Sequence, residues 1–228
     1  MDKLKTYFST KTSEFVNHLK KNKIKILTLY LTLIIAFIIV YAIDQVTKQV
    51  LFNHGDVFKM NGNGQVEFNG RWINPETPTS PIEYWNGFFG TRSIWHKGVT
   101  FVETHGNVFW IQVISFIIIA IILLLPLFVT GKYAYAYIVG FGFLLAGDLG
   151  NATDRIVFNG YVKDVFFIPW HDRGTFNFAD VLIFFSIGYL FMIYLIYFVD
   201  SYLTEKHKKQ QDKLKASETS STNDNNDK

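Results

Sequence analysis

The stretch Ala146–Asp180, AGDLGNATDRIVFNGYVKDVFFIPWHDRGTFNFAD, carries five aspartates lying between two long apolar runs or at their edges. Its last residue, Asp180, opens a run with no further charge until Asp200. A carboxylate at the mouth of an apolar phase still costs on the order of several kcal/mol after water and hydrogen bonds have reduced the penalty. Such groups are seldom kept without a use. Two carboxyls held close together cannot both ionise easily, so one pKa climbs above the reference of about 4 while its neighbour stays low. A water-activating acid/base pair needs that division.

The runs around this stretch decide the class. Ile26 to Ile43, Val108 to Thr130, Tyr133 to Gly147 and Val181 to Val199 are free of charge. Each is close to the roughly 20 residues that cross a bilayer core, except the third, which must borrow from Asp148 to Ile156 and so ends in polar residues. The chain therefore reads as a membrane protein, mainly α, with four transmembrane helices at about 26–45, 108–130, 133–154 and 179–199. Loop 49–107 is expected to form a small extracytoplasmic β platform. Before the first span stand seven lysines and two acids, the second and third spans are joined by Gly131-Lys132, and the tail holds six lysines and six acids. Lys and Arg near span ends set orientation, which puts both termini inside and the aspartate-rich stretch at the outer surface. The chain has no cysteine, so disulfides and a thiolate nucleophile are excluded.

Residues 1–25 are a basic cytoplasmic arm in which Leu4, Phe8, Phe15 and Leu19 recur at helical spacing, fitting an amphipathic helix on an anionic leaflet or a solvated arm. Domain 26–199 follows, and residues 200–228 have the composition of a disordered cytoplasmic tail. Asn69-Gly70, flanked by alternating apolar residues from Gln65 to Ile73, predicts a hairpin, and Phe88 to Val102 predicts further extended chain. Trp72, Trp85 and Trp95 fit a headgroup belt or a lid, the belt being the simpler reading. Pro126 bends the second span near its inner end, and Gly131, Gly140, Gly142 and Gly147 let the third approach a neighbour closely.

Asp44 and Lys48 are four apart, so they share a helix face either as an ion pair alone or as a pair orienting a polar site. Asn151, Asp154 and Arg155 gather on one turn at the end of the third span. Asn177 with Asp180 resembles a capping box at the start of the fourth. Asp164 has no such local explanation: strand alternation turns it away from Lys163 and Val165, inward, with no neutralising partner in its own strand. Pro169 and Gly174 separate Asp164 from Asp180, so a strand leading out and a loop leading back can set the two face to face around one water.

Taken together, Asp44-Gln-Val-Thr-Lys48, Gly150-Asn-Ala-Thr-Asp-Arg155, Gly160-Tyr-Val-Lys-Asp164 and Phe176-Asn-Phe-Ala-Asp180 resemble, in order, the motifs of the lipoprotein (type II) signal peptidases of bacteria. The resemblance implies a four-helix intramembrane aspartyl endopeptidase of the bacterial cytoplasmic membrane. It would remove the signal peptide of prolipoproteins before a diacylglyceryl-modified cysteine, as a monomer among membrane lipids, with no cofactor, metal or nucleic acid. It also implies Asp164 and Asp180 as the catalytic dyad, Asp44, Lys48, Asn151, Arg155 and Asn177 as substrate-site residues, and Asp154 as structural. One motif departs: where the family has Asn-x-Gly-x-x-aromatic, this chain has His96-Lys-Gly98-Val-Thr-Phe101, with Thr104-His-Gly106 a poorer match, and His96 and Gly98 take the substrate-binding places. Three other readings compete. An ion-coupled transporter would put charge near the bilayer midplane, a non-enzymatic assembly protein would tolerate Asp164→Asn, and a metalloenzyme would need more than His171 beside Asp172.

Overall fold

The computed structural model describes residues 2–55, 58–79, 82–85, 87–98 and 108–223, with side chains from 5 to 213 in those ranges except at 83. Phe101 and the Thr104–Gly106 stretch lie outside the described residues. Helix α1 (Asp2–Lys21) leads into α2 (Lys23–Leu51), followed by strands β1 (Val66–Phe68), β2 (Arg71–Ile73), β3 (Glu83–Trp85) and β4 (Phe89–His96). Helix α3 (Val108–Leu124) passes through a 3₁₀ turn at Leu125–Leu127 towards α4 (Ala134–Val157). Strands β5 (Val162–Phe167) and β6 (Thr175–Phe176) then lead into α5 (Phe178–Asn223).

Helix α2 shows how an apolar sequence becomes a packed element. Leu29, Leu33 and Ala36 form a buried stripe that Asp44 and Lys48 continue at the same helical period, while Ile34, Ile35, Ile38 and Ile39 on the other side are exposed. A helix apolar all round is the form expected against lipid. The buried stripe faces α4, where Ile138 and Leu145 join Leu29, Leu33 and Ile122 of α3 in one core. Small residues set the spacing. A Cβ on Gly142 would lie 2.8 Å from Ala36 Cβ, and one on Gly147 would lie 2.7 Å from the Ala179 carbonyl, so glycine lets α4 close on both α2 and α5. The bend at Pro126 appears as the 3₁₀ turn, since proline supplies no N–H to the helix ladder.

Helices Lys23–Leu51, Val108–Leu127 and Phe178–Lys213 are long and apolar enough to cross a membrane. The chain is thus a mostly helical, multi-pass membrane protein with small antiparallel sheets.

Asn69 (φ 50°) and Gly70 (φ 75°) both turn left-handed between β1 and β2, the geometry that a two-residue hairpin needs. The second sheet is broader than the loop 49–107 expectation. It runs β3-β4-β5-β6, all antiparallel, because the chain after α4 adds two strands to it. Trp95 corrects the headgroup-belt reading: it is buried with Val66 and Tyr161 in the platform core, because its strand face packs on Phe52, Phe58 and Phe158. Trp72 and Trp85 are about half exposed.

Helix α1 spans most of the basic arm, and Phe15 stacks on Phe128 with ring centroids 5.5 Å apart. The chain divides into two compact units at Ile187/Gly188. In the second, α5 continues to Asn223, which corrects the expectation of a disordered tail from residue 200. Glu, Lys, Gln and Leu are good helix formers, and Glu205 pairs with Lys209 one turn on at 2.7 Å.

Candidate active site

The site is assembled where the C-terminal ends of α2 and α4 and the N-terminal end of α5 meet β5. Register does much of the work. Ile94 pairs with Asp164, Trp95 with Lys163 and His96 with Val162, so alternation sends Trp95 and Lys163 to the platform core and Asp164, Val162 and His96 to the opposite face. That face looks into a cavity of about 140 Å³, roomy enough for several waters.

Asn177 caps α5 in a reciprocal box. Its Oδ1 accepts from the Asp180 N–H at 3.1 Å, while Asp180 Oδ2 accepts from the Asn177 N–H at 3.2 Å. Aspartate thus serves at the third helical position, where glutamate or glutamine is usual. The cap also reaches the other acid: Asn177 Nδ2 donates to Asp164 Oδ1 at 2.8 Å and to Asn151 Oδ1 at 3.0 Å. Asn151 Nδ2 in turn donates to Asp180 Oδ1 at 2.8 Å. Two asparagines therefore tie both carboxylates into one network, and both acids line the one cavity.

Asp164 is 1 % exposed, and its Oδ2 has no hydrogen-bond partner among the described residues. Burial and then the nearby Asp180 carboxylate hold its pKa well above the usual carboxylate range; His96, the Asn177 hydrogen bond and Lys48 pull down without prevailing. A buried acid that keeps its proton beside a second carboxyl can donate to a carbonyl oxygen while its neighbour takes a proton from water.

Asp44 and Lys48 stand behind the cavity and do not line it. Lys48 Nζ spends its three donors on Asp44 Oδ2 (3.0 Å), Asp154 Oδ2 (3.0 Å) and Asn151 Oδ1 (3.1 Å). Asp44 Oδ1 accepts the Ala179 N–H at 2.8 Å, and Asp154 Oδ2 also accepts the Lys163 N–H at 3.1 Å. One buried ammonium thus holds α2 and α4 together, and its two acids extend the hold to β5 and the first turn of α5. Gly150 permits the approach, since a Cβ there would sit 2.5 Å from Asp44 Oδ2.

His96, Gly98 and Arg155 also line the cavity, and Arg155 Nη2 donates to the Gly98 carbonyl at 2.9 Å. Three lining or neighbouring polar groups have no site role in the sequence reading. Asp148, one turn before Asn151, accepts from Ser115 Oγ at 2.7 Å, and its helical spacing was a usable signal. Ser115 carries no motif. Glu76, 3.2 Å from His96 Nδ1, sits on a connection with no pattern of its own.

A family model described as signal peptidase (SPase) II matches residues 35–198. The lipoprotein signal peptidase of Lactiplantibacillus plantarum is 27 % identical over 165 residues, covering 72 % of this chain and 91 % of the relative. That of Gloeothece citriformis is 32 % identical over 122 residues, 52 % of this chain and 71 % of the relative. A solved bacterial membrane enzyme at 2.3 Å resolution shares the fold with a TM-score of 0.54 at 20 % identity, over 72 % of this chain and 87 % of that one.

Proposed function

Because this chain belongs to the signal peptidase II family, whose model spans residues 35–198, we propose that it cleaves prolipoproteins with Asp164 and Asp180 as an aspartic dyad. The protein removes signal peptides from prolipoproteins. The observation that carries the dyad is the placement of both carboxyls on one cavity, joined through Asn177. Asp164, buried and inclined to keep its proton, donates to the oxygen of the scissile carbonyl. Asp180 receives N–H donors from Asn151 and Asn177 and takes a proton from the attacking water. The tetrahedral intermediate then breaks its C–N bond, the amine leaves with the proton held at Asp180, and the proton on Asp164 is restored from the collapsing hydroxyl. No side chain forms a covalent bond to the substrate.

Asn151, Asn177 and Arg155 line the substrate site, His96 and Gly98 close its platform side, Asp44 and Lys48 hold it from behind, and Asp154 is structural. Helix α4 serves as a fourth span: its 24 residues rise about 36 Å, and its polar outer turn is what lowers its apolar character. The site then faces the extracytoplasmic side of a bacterial cytoplasmic membrane, with both termini inside and α1 on the inner leaflet. The enzyme works as a monomer in lipid.

Substrates whose cysteine carries two acyl chains enter from the bilayer. Each acyl methylene buried contributes about 0.8 kcal/mol to membrane binding. An unlipidated precursor should therefore be cut at least about tenfold more slowly than the diacylglyceryl form by purified enzyme in the same lipid. Equal rates for the two would mean that the lipid is not read.

A further inference from the structure

Strand β4 ends at His96, and its pairing with Val162 puts the ring on the cavity side of the sheet. The two ring nitrogens meet different surroundings. Nδ1 lies 3.2 Å from Glu76 Oε2, while Nε2 is buried with no partner among the described residues. Glu76 is itself fixed, its N–H donating to Asn74 Oδ1 at 2.9 Å and its Oε1 accepting the Lys97 N–H at 3.3 Å. It also borders a separate hollow of about 410 Å³ on the platform, away from the aspartates. The imidazole thus bridges a carboxylate outside the cavity and the space inside it.

Resting on the peptidase reading above, we propose that Glu76 is a positioning residue that keeps His96 in its charged form, so that Nε2–H donates to a carbonyl of the bound precursor. The chemistry of the ring makes this a switch. In the imidazolium both nitrogens donate; in the neutral ring with its proton on Nδ1 towards Glu76, Nε2 is an acceptor and repels a carbonyl oxygen. Among the described residues, the charged groups facing the ring are Glu76 from the β2–β3 connection, Asp164 from β5 and Asp180 from α5, with Asp148 and Arg155 from α4 on the same cavity. Burial alone would lower the His96 pKa. The Glu76 hydrogen bond comes first among the opposing effects and, with the charges of Glu76 and Asp180, raises its pKa above the ordinary histidine value instead; Asp164 adds to this only in its ionised form. The sign follows: the contribution is present at low pH and lost as pH rises through that pKa.

The test is the pH profile of kcat/KM on a diacylglyceryl precursor for wild type, Glu76→Gln, His96→Asn and the double variant. Glu76→Gln should move the alkaline limb to lower pH, losing about five- to tenfold on that limb, the order set by one charge-assisted hydrogen bond, with little change at acid pH. In the His96→Asn background, Glu76→Gln should leave the limb where it is. A limb unmoved by Glu76→Gln, or moved equally in both backgrounds, would overturn the proposal. The NMR titration of the His96 ring in wild type and in Glu76→Gln and Glu76→Asp decides independently of activity. A ring pKa that falls in the glutamine variant and recovers in the aspartate one supports the proposal, and an unchanged value rejects it. Failure of the wild type to cut any precursor would instead count against the peptidase reading.

Discussion

Asp164→Asn is expected to lose at least about a thousandfold in cleavage rate while staying folded, and Asp180→Asn to lose as much with some cost in stability. The asymmetry comes from the contacts. The Asn177 amide can donate to an asparagine oxygen at 164 as it does to Asp164 Oδ1, and the substitution removes a buried carboxyl whose ionisation the site resists. Asp164 thus weakens the fold as pH rises above its unfolded value, because the folded protein binds that proton more tightly than the unfolded chain. At 180 both oxygens accept N–H donors, from Asn151 and Asn177, and an amide can serve only one without turning a donor on a donor. That mismatch costs about 1–3 kcal/mol. Rates on a lipidated precursor, read beside thermal unfolding in the same detergent, check both halves. An Asp164→Asn protein that cuts at the wild-type rate would return the aspartates to a structural role.

Lys48→Met should cost about 3–5 kcal/mol of stability, the usual penalty for removing one partner from a buried ionic cluster. Lys48 is 1 % exposed and meets Asp44, Asp154 and Asn151 at once, so the variant leaves two carboxylates buried without their cation. Activity falls for a second reason. Asn151 loses one of the contacts that aim its amide at Asp180, and Asp44 holds the first turn of α5 through Ala179. Lys11→Met, which breaks only the exposed pair with Glu14, is the control and should change stability little. A Lys48→Met protein as stable as the wild type would show that the cluster does not hold the helix ends together.

The apolar runs made the long helices legible, and the left-handed pair at Asn69-Gly70 made the hairpin legible. Alternation alone turned Asp164 away from Lys163, and the capping box was visible in Asn177 and Asp180 because capping is local chemistry. Pairing between distant segments was not. Strand β4 joins β5 across more than sixty residues, and no local pattern marks which strands will meet. Trp95 was read at the membrane surface for the same reason, since the rings that bury it come from α2's end, the loop before β1 and the turn after α4. Glu76 escaped because its partner lies twenty residues on and across a turn. Beyond Asp200 low apolar content points to disorder, while the helix-forming preference of the same residues carries α5 onward.

The cavity also holds a hydroxyl on a carboxylate, Ser115 on Asp148, which makes the identity of the attacking group the sharpest question about the chemistry. Single-turnover cleavage of a diacylglyceryl precursor in ¹⁸O-water with hydroxylamine present addresses it directly. With Asp164 and Asp180 activating water, the released signal peptide carries one ¹⁸O in its new carboxylate and forms no hydroxamate. A hydroxamate in proportion to hydroxylamine would reveal an acyl-enzyme and contradict the dyad.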